Sequence, residues 1–155
     1  MLLKVVAAGT RLPAWVNEGC HEYANRLRGD FRLTLIEIPL GRRTASDTSR
    51  AKRDEGERML AALGRDATTV ALQVDGKPLT TPQLARWLED RAHDATEIAF
   101  CIGGPDGLAS EIDRRARLRW SVSPLTLPHG LARIVVVEAL YRAVTVIKGH
   151  PYHRG

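Results

Sequence analysis

The chain closes on "GHPYHRG", residues 149–155, which sets His150, Tyr152, His153 and Arg154 within five positions. Chain ends are ordinarily small, polar and poorly ordered. Two imidazoles, a phenol and a guanidinium at such a place read either as a solvated tail or as part of a site, and the rest of the sequence has to decide between them. His150 and His153 have HxxH spacing. Pro151 between them forbids the helical presentation that paired ligands use, and no third ligand lies near, so the pair reads as hydrogen bonding or RNA contact rather than a metal site.

Three stretches upstream are candidate loops: the first reads by itself as a tight strand-to-helix turn, the second as a ligand loop or a loop buried under its neighbours, and the third as a turn only. In "CIGGPDGLASE", residues 101–111, Gly103 and Gly104 follow an apolar run, where glycine lets the backbone bend and a ligand approach without meeting a Cβ. This is neither the GxGxxG fingerprint nor a P-loop, which disfavours a pyrophosphate site. In "SVSPLTLPHG", residues 121–130, Pro124 and Pro128 interrupt regular structure and leave a preset, extended loop ending in His129. Its apolar side chains and free backbone groups suit the faces and edge of an uncharged flat ligand such as a purine. In "LQVDGKPL", residues 72–79, a strand is expected to end in an Asp75-Gly76 turn.

The elements that would position these loops alternate between strand and helix patterns. Strands are expected at Leu2–Ala8, Phe31–Ile38, Thr68–Val74 and Glu97–Ile102, the last nearly all apolar as at the centre of a parallel sheet. Helices are expected at Trp15–Leu27 after Pro13, at Arg50–Leu63, from a Thr81 cap and Pro82 to about His93, from Ser110 and Glu111, and over Pro128–Lys148. This order predicts an α/β fold: a layered, mainly parallel sheet flanked by helices, as one domain over residues 1–155. Ligands in such folds bind beyond the carboxyl ends of the strands, so the loops after Val74, Ile102 and Val122 are where a site belongs.

The last helix has too wide an apolar surface for packing on one side alone. Val136, Ala139, Leu140, Ala143, Val144 and Ile147 form a broad face that Leu131, Ile134 and Val135 extend. The second cover is read as another copy of the chain, related by two-fold symmetry. Glu138 and Arg142 can pair four residues apart. Gly149 stops the helix, and the segment stiffened by Pro151 is expected to leave it extended and reach the partner.

Bulk composition narrows the class. At 155 residues, with 44% hydrophobic and 26% charged residues, the chain reads as a globular domain. Cys20 and Cys101 lie far apart without CxxC spacing, so the expected setting is the reducing cytoplasm, with Cys101 a small buried apolar residue. The start reads as a strand rather than a signal peptide, and no apolar run approaches the roughly 20 residues of a membrane span. A net charge of +5 and a pI near 9.7 favour a polyanion, nucleic acid first. "RRARLRW", residues 114–120, reads as a solvated face. "GRRTASDTSRAKR", residues 41–53, reads as an exposed loop and charged helix suited to flexible phosphate contact.

The segments "IGGPDGL", "LTLPHGLARIVVVEALYRA" and "HPYHRG", with "VAAGTRLPAWV", "LIEIP" and "GKPLTTPQLA", closely resemble the SPOUT-class methyltransferases, in particular those that methylate a pseudouridine of large-subunit ribosomal RNA. The resemblance covers essentially the whole chain. It implies a C-terminal trefoil knot, a homodimer, and S-adenosylmethionine held by Leu72, Gly103, Gly104, Val122, Ser123, Pro124, Leu125, Thr126 and Leu127. It also implies methyl transfer to ring nitrogen 3 of a pseudouridine in 23S rRNA. His129 and His153 are then the candidates to move the imide proton, Tyr152 to stack on or bond the target base, and Arg142 and Arg154 to hold phosphate or developing charge, with the tail acting on the cofactor of the other subunit. Two other readings compete: a non-catalytic RNA-binding module of the same fold, and a metal-dependent hydrolase built on His129, His150 and His153.

Overall fold

A computed structural model describes residues 1–44 and 47–154, the side chain of His153 excepted. The elements run β1 (Leu2–Ala8), α1 (Ala14–Ala24), β2 (Arg32–Ile38), α2 (Ser49–Ala61), β3 (Thr68–Pro78), α3 (Thr81–Ala92), β4 (Glu97–Ile102), α4 (Ser110–Arg115), β5 (Leu118–Ser121) and α5 (His129–Lys148), then a short 3-10 helix, Pro151–Arg154. All four strand pairings are parallel and the sheet order is β2-β1-β4-β3-β5. This is the α/β layered architecture expected from strand-helix alternation. Among the described residues no helix is long and apolar enough to cross a membrane.

The two-residue period of the strands sorts the core into two layers. Leu3, Val5 and Ala7 of β1 and Ile98, Phe100 and Ile102 of β4 face the layer that contains α1, α3 and α5. Val6, Ala8, Ala99 and Cys101 face the other, under α2 and α4. The larger side chains gather on the first face, where three helices must be filled against. The α2/α4 face is lined by small ones and lets its helices sit close. Cys101 has no exposure, and burial pushes its thiol up to about 12, so it behaves as the inert apolar filler that its sequence setting suggests.

Four local expectations are corrected. Helix α1 stops at Ala24 rather than Leu27, because Arg26 and Leu27 donate three residues back, in the tighter turn that leads to Gly29 at φ +86°. The cap of α3 is Thr80, not Thr81: Gln83 lies three residues beyond Thr80, and the two exchange bonds in a capping box of 3.2 and 2.9 Å. β3 does not end at Asp75-Gly76. It carries an irregularity between Leu72 and Lys77 and then pairs again with Trp120 and Ser121. Gly76 permits this because the strand lies flat on its neighbour there; a Cβ at Gly76 would come within 2.8 Å of the Arg119 backbone. Finally, the tail is not extended. Gly149 turns left-handed (φ +68°), His150 N–H donates to Thr145 O at 2.9 Å, and the chain reverses onto its own α5.

Candidate active site

A cleft of about 540 Å³ opens at the carboxyl ends of β1, β3, β4 and β5. Leu72, Gly103, Gly104, Val122, Ser123, Leu125, Thr126 and Leu127 line it, as does His129. The three loops singled out by composition therefore meet in one place. Pro124 does not line the cleft. It sits exposed in a tight turn where Leu125 N–H donates to Ser123 Oγ at 2.9 Å. Ser121 Oγ in turn donates to Ser123 O at 3.0 Å, so this loop uses its hydroxyls to brace itself and leaves backbone groups and apolar walls for a ligand. Gly103 is required by space, because a Cβ there would overlap the Gly107 backbone; one on Gly104 would reach 2.9 Å from the exposed Leu40 side chain, which can move aside. Gly107 N–H closes the turn on Gly104 O at 3.0 Å.

The segment Ala8–Leu12 supplies the remaining wall, which composition alone did not flag. Its backbone is unusual: Gly9 has φ +124° and Arg11, not a glycine, has φ +60°. Behind it lies Arg133, fully buried in α5. Its Nη2 donates to Gly9 O at 2.7 Å, Nη1 to Glu37 at 2.5 Å and Nε to His129 Nε2 at 2.9 Å. Burial, then the Arg133 charge, pushes the His129 pKa below the usual histidine value, outweighing the opposing influence of the Gly103 backbone and Glu37. Arg133 went unnoticed in the sequence because one arginine within an apolar helix carries no spacing signal.

The glycine loop is clamped from the other side. Glu55, 2% exposed on α2, accepts from Gly41 N–H at 2.8 Å and from Arg43 Nη1 at 2.7 Å, while Arg43 Nε donates to Asp106 at 2.7 Å. Arg43 is thus held between α2 and the Pro105-Asp106-Gly107 turn. The expectation of a freely flexible phosphate contact over residues 41–53 is corrected for Arg43, whose guanidinium has two carboxylate partners; residues 45 and 46 lie outside the described ones. In the 114–120 cluster, Arg119 pairs with Asp113 and Asp75, and Arg114, Arg115 and Arg117 are exposed.

The tail builds a second constellation. The Tyr152 ring packs edge-on against Tyr141 at 4.6 Å, its hydroxyl donates to Glu138 Oε1 at 3.0 Å, and Arg142 lies 4.9 Å from its centroid while bonding Glu138 at 2.9 Å. Arg26 stacks within 5.0 to 5.9 Å of Tyr23, Tyr141 and Tyr152. Arg154 is exposed; the His153 side chain lies outside the described residues. Burial, then the hydrogen bond to Glu138, pushes the Tyr152 phenol up to about 12. A raised folded-state pKa means stability that is complete below about pH 10 and lost as pH climbs through 12. In an ultraviolet titration one of the three tyrosines should therefore ionise late, and Glu138→Gln should return it towards 10. Three tyrosines titrating together near 10 would contradict this placement.

Within one protomer the candidate catalytic residues fall into two groups. His129 is at the cleft. Arg142 is 13 residues further along α5, about 20 Å at 1.5 Å per residue, and Tyr152 packs beside it. His129 and His150 stand at opposite ends of the helix, and among the described residues no three potential metal ligands gather.

Comparison with known proteins places the chain. A family model described as "Predicted SPOUT methyltransferase" matches residues 1–153. The protein named Ribosomal RNA large subunit methyltransferase H from Pseudomonas fluorescens (strain Pf-5) is 52% identical over 155 residues, covering 99% of this chain and 100% of that protein. Its namesake from Alkalilimnicola ehrlichii is 51% identical over 99% of each. A solved structure described as "Structural insights into the 2-OH methylation of C/U34 on tRNA" superposes with a TM-score of 0.51 at 21% identity, over 96% of this chain and 97% of that one, and shares the fold.

Proposed function

The chain belongs to the SPOUT methyltransferase family, and on that premise we propose that it methylates ring nitrogen 3 of a pseudouridine in 23S rRNA, with S-adenosylmethionine as donor. The observation that carries the reading is the convergence of Leu72, Gly103 and Val122–Leu127 on one cleft. The donor fits it chemically. S-adenosylmethionine has no phosphate to bind, and the cleft offers no phosphate loop but glycine backbone at Gly103 and Gly104 and apolar walls such as Leu72, Ile102 and Leu127. When bound, it supplies an electrophilic methyl group on a sulfonium. The chain's own part is to hold the target ring in line, exclude water and take the imide proton.

The reading needs two protomers. On α5, Leu131 is 40% exposed, and Val135 and Ala139 on the same stripe are half-exposed. These three are symmetric about Val135, which also lies within one residue of the midpoint between His129 and Arg142. A two-fold axis there, with the helices antiparallel, sets Arg142 and Tyr152 of one protomer beside His129 of the other. The same antiparallel pairing returns each tail to a cleft that it does not reach in its own protomer. Tyr152 and Arg154 then face the RNA, and His153 is proposed as the proton acceptor. The family's trefoil crossing of the segment after β5 is part of the same proposal, as is a cytoplasmic setting with no membrane partner.

Two measurements test the function. Titration calorimetry should register S-adenosylmethionine binding; no heat would leave an RNA-binding module of this fold. Labelled methyl transfer to matched RNAs should favour pseudouridine over uridine, and equal labelling would defeat the base selectivity.

A further inference from the structure

We infer that Arg133 is a positioning residue for methyl transfer, holding His129 as a neutral, fixed wall of the cleft with its hydrogen on Nδ1, so that His129 is not the proton acceptor. The inference rests on the cleft being the donor site, as proposed above, but its central test does not depend on methyl transfer. Arginine has five N–H donors and does not give one up in a protein. A hydrogen bond of 2.9 Å between its Nε and His129 Nε2 therefore requires the lone pair of the imidazole on that nitrogen. The proton is left to Nδ1. With one nitrogen accepting from a permanent cation and the other carrying the hydrogen, His129 has no free lone pair for substrate.

The surroundings enforce this. Arg133 has no exposure, and a buried guanidinium persists only when its donors are satisfied. Glu37 on β2 supplies the counter-charge at 2.5 Å, and Gly9 O takes Nη2 at 2.7 Å. The Cys20 thiol of α1 lies in the field of both charges, with its pKa raised by burial foremost. Among the described residues, the charged groups that act on the ring are Arg133 on its own helix and Glu37 on β2. Protonating His129 would set two cations in direct contact. One guanidinium thus holds two parts of the cleft lining, the Gly9 loop and the His129 ring. Lysine, with a point charge and no planar fork, could not bridge three acceptors in this way.

Nitrogen NMR of histidine-labelled protein tests the claim without substrate, with His129→Gln assigning the signal among the five histidines. The expected wild-type spectrum is a single Nδ1–H tautomer of His129 that does not titrate around pH 6.5. In Arg133→Met the ring should mix tautomers and titrate near the ordinary value of about 6.5, with kcat reduced about 10²-fold. His129→Gln keeps an acceptor for Arg133 and should retain at least about a tenth of wild-type kcat. Loss of a general base would cost about 10²–10⁴-fold. A wild-type His129 that carries its proton on Nε2, or titrates near 6.5, overturns the inference even if Arg133→Met does not fold. A His129→Gln loss of about 10³-fold overturns it as well. Failure of the donor to bind would instead remove the functional reading.

Discussion

Removing residues 150–155 is expected to abolish methyl transfer, by about 10³-fold or more, while S-adenosylmethionine still binds. Among the described residues none of the tail lines the cleft of its own protomer, so its loss leaves Gly103, Val122 and Leu127 in place. What goes is Tyr152, packed on Tyr141 and bonded to Glu138, together with His153 and Arg154. The decisive form of the experiment mixes two damaged chains. A heterodimer of a tail-deleted protomer and a Gly103→Ala protomer has one sound cleft and one sound tail, on different chains. If the tail works across the two-fold axis, these meet, and the heterodimer should show about half the wild-type rate, one site of two. If each tail serves its own protomer, the mixture stays dead. A silent heterodimer, or a truncated chain that turns over normally, would refute the composite site.

Gly103→Ala by itself is the second large effect. The added methyl would overlap the carbonyl carbon of Gly107 and lie 2.6 Å from Leu108 N. Both are backbone atoms, so no rotamer relieves the clash, and the Gly104–Gly107 turn must open. Overpacking of this kind costs about 1–3 kcal/mol of stability. The larger consequence is functional, because the displaced turn forms one wall of the cleft and is pinned through Asp106 to Arg43. Calorimetry should show donor affinity reduced about 10²-fold or more, the range expected of a misplaced binding wall. Affinity within threefold of wild type would remove this loop from the donor site.

The sequence alone determined the parallel sheet, the order of every element but β5, and three loops that meet in the cleft. These are consequences of local periodicity: alternation along β1 and β4, proline and glycine at the boundaries, and an apolar surface on α5 too broad for one layer. The family was legible too, because "IGGPDGL", "LTLPHG" and "HPYHRG" are contiguous and distinctive. Eight of the nine residues read as cofactor contacts line the cleft, and the ninth, Pro124, missed because a turn closed by Ser123 points it outward. Where the reading failed locally, a longer-range contact won. Asp75-Gly76 looks like a turn, and becomes strand only because Arg119 and Trp120 lie flat against it.

The tertiary structure alone decided which charges meet. Arg133 looks like one more arginine on a helix, and Glu37 like a wet position on an alternating strand. They lie 96 residues apart and become an ion pair between a fully buried guanidinium and a partly exposed carboxylate, with His129 bonded to the same guanidinium. Arg43 and Asp106, separated by 63 residues, similarly become the clamp on the glycine loop. No spacing rule records such pairs, because they form only when the sheet brings distant loops to its carboxyl edge. Burial then makes each unpaired group costly enough that a partner is required.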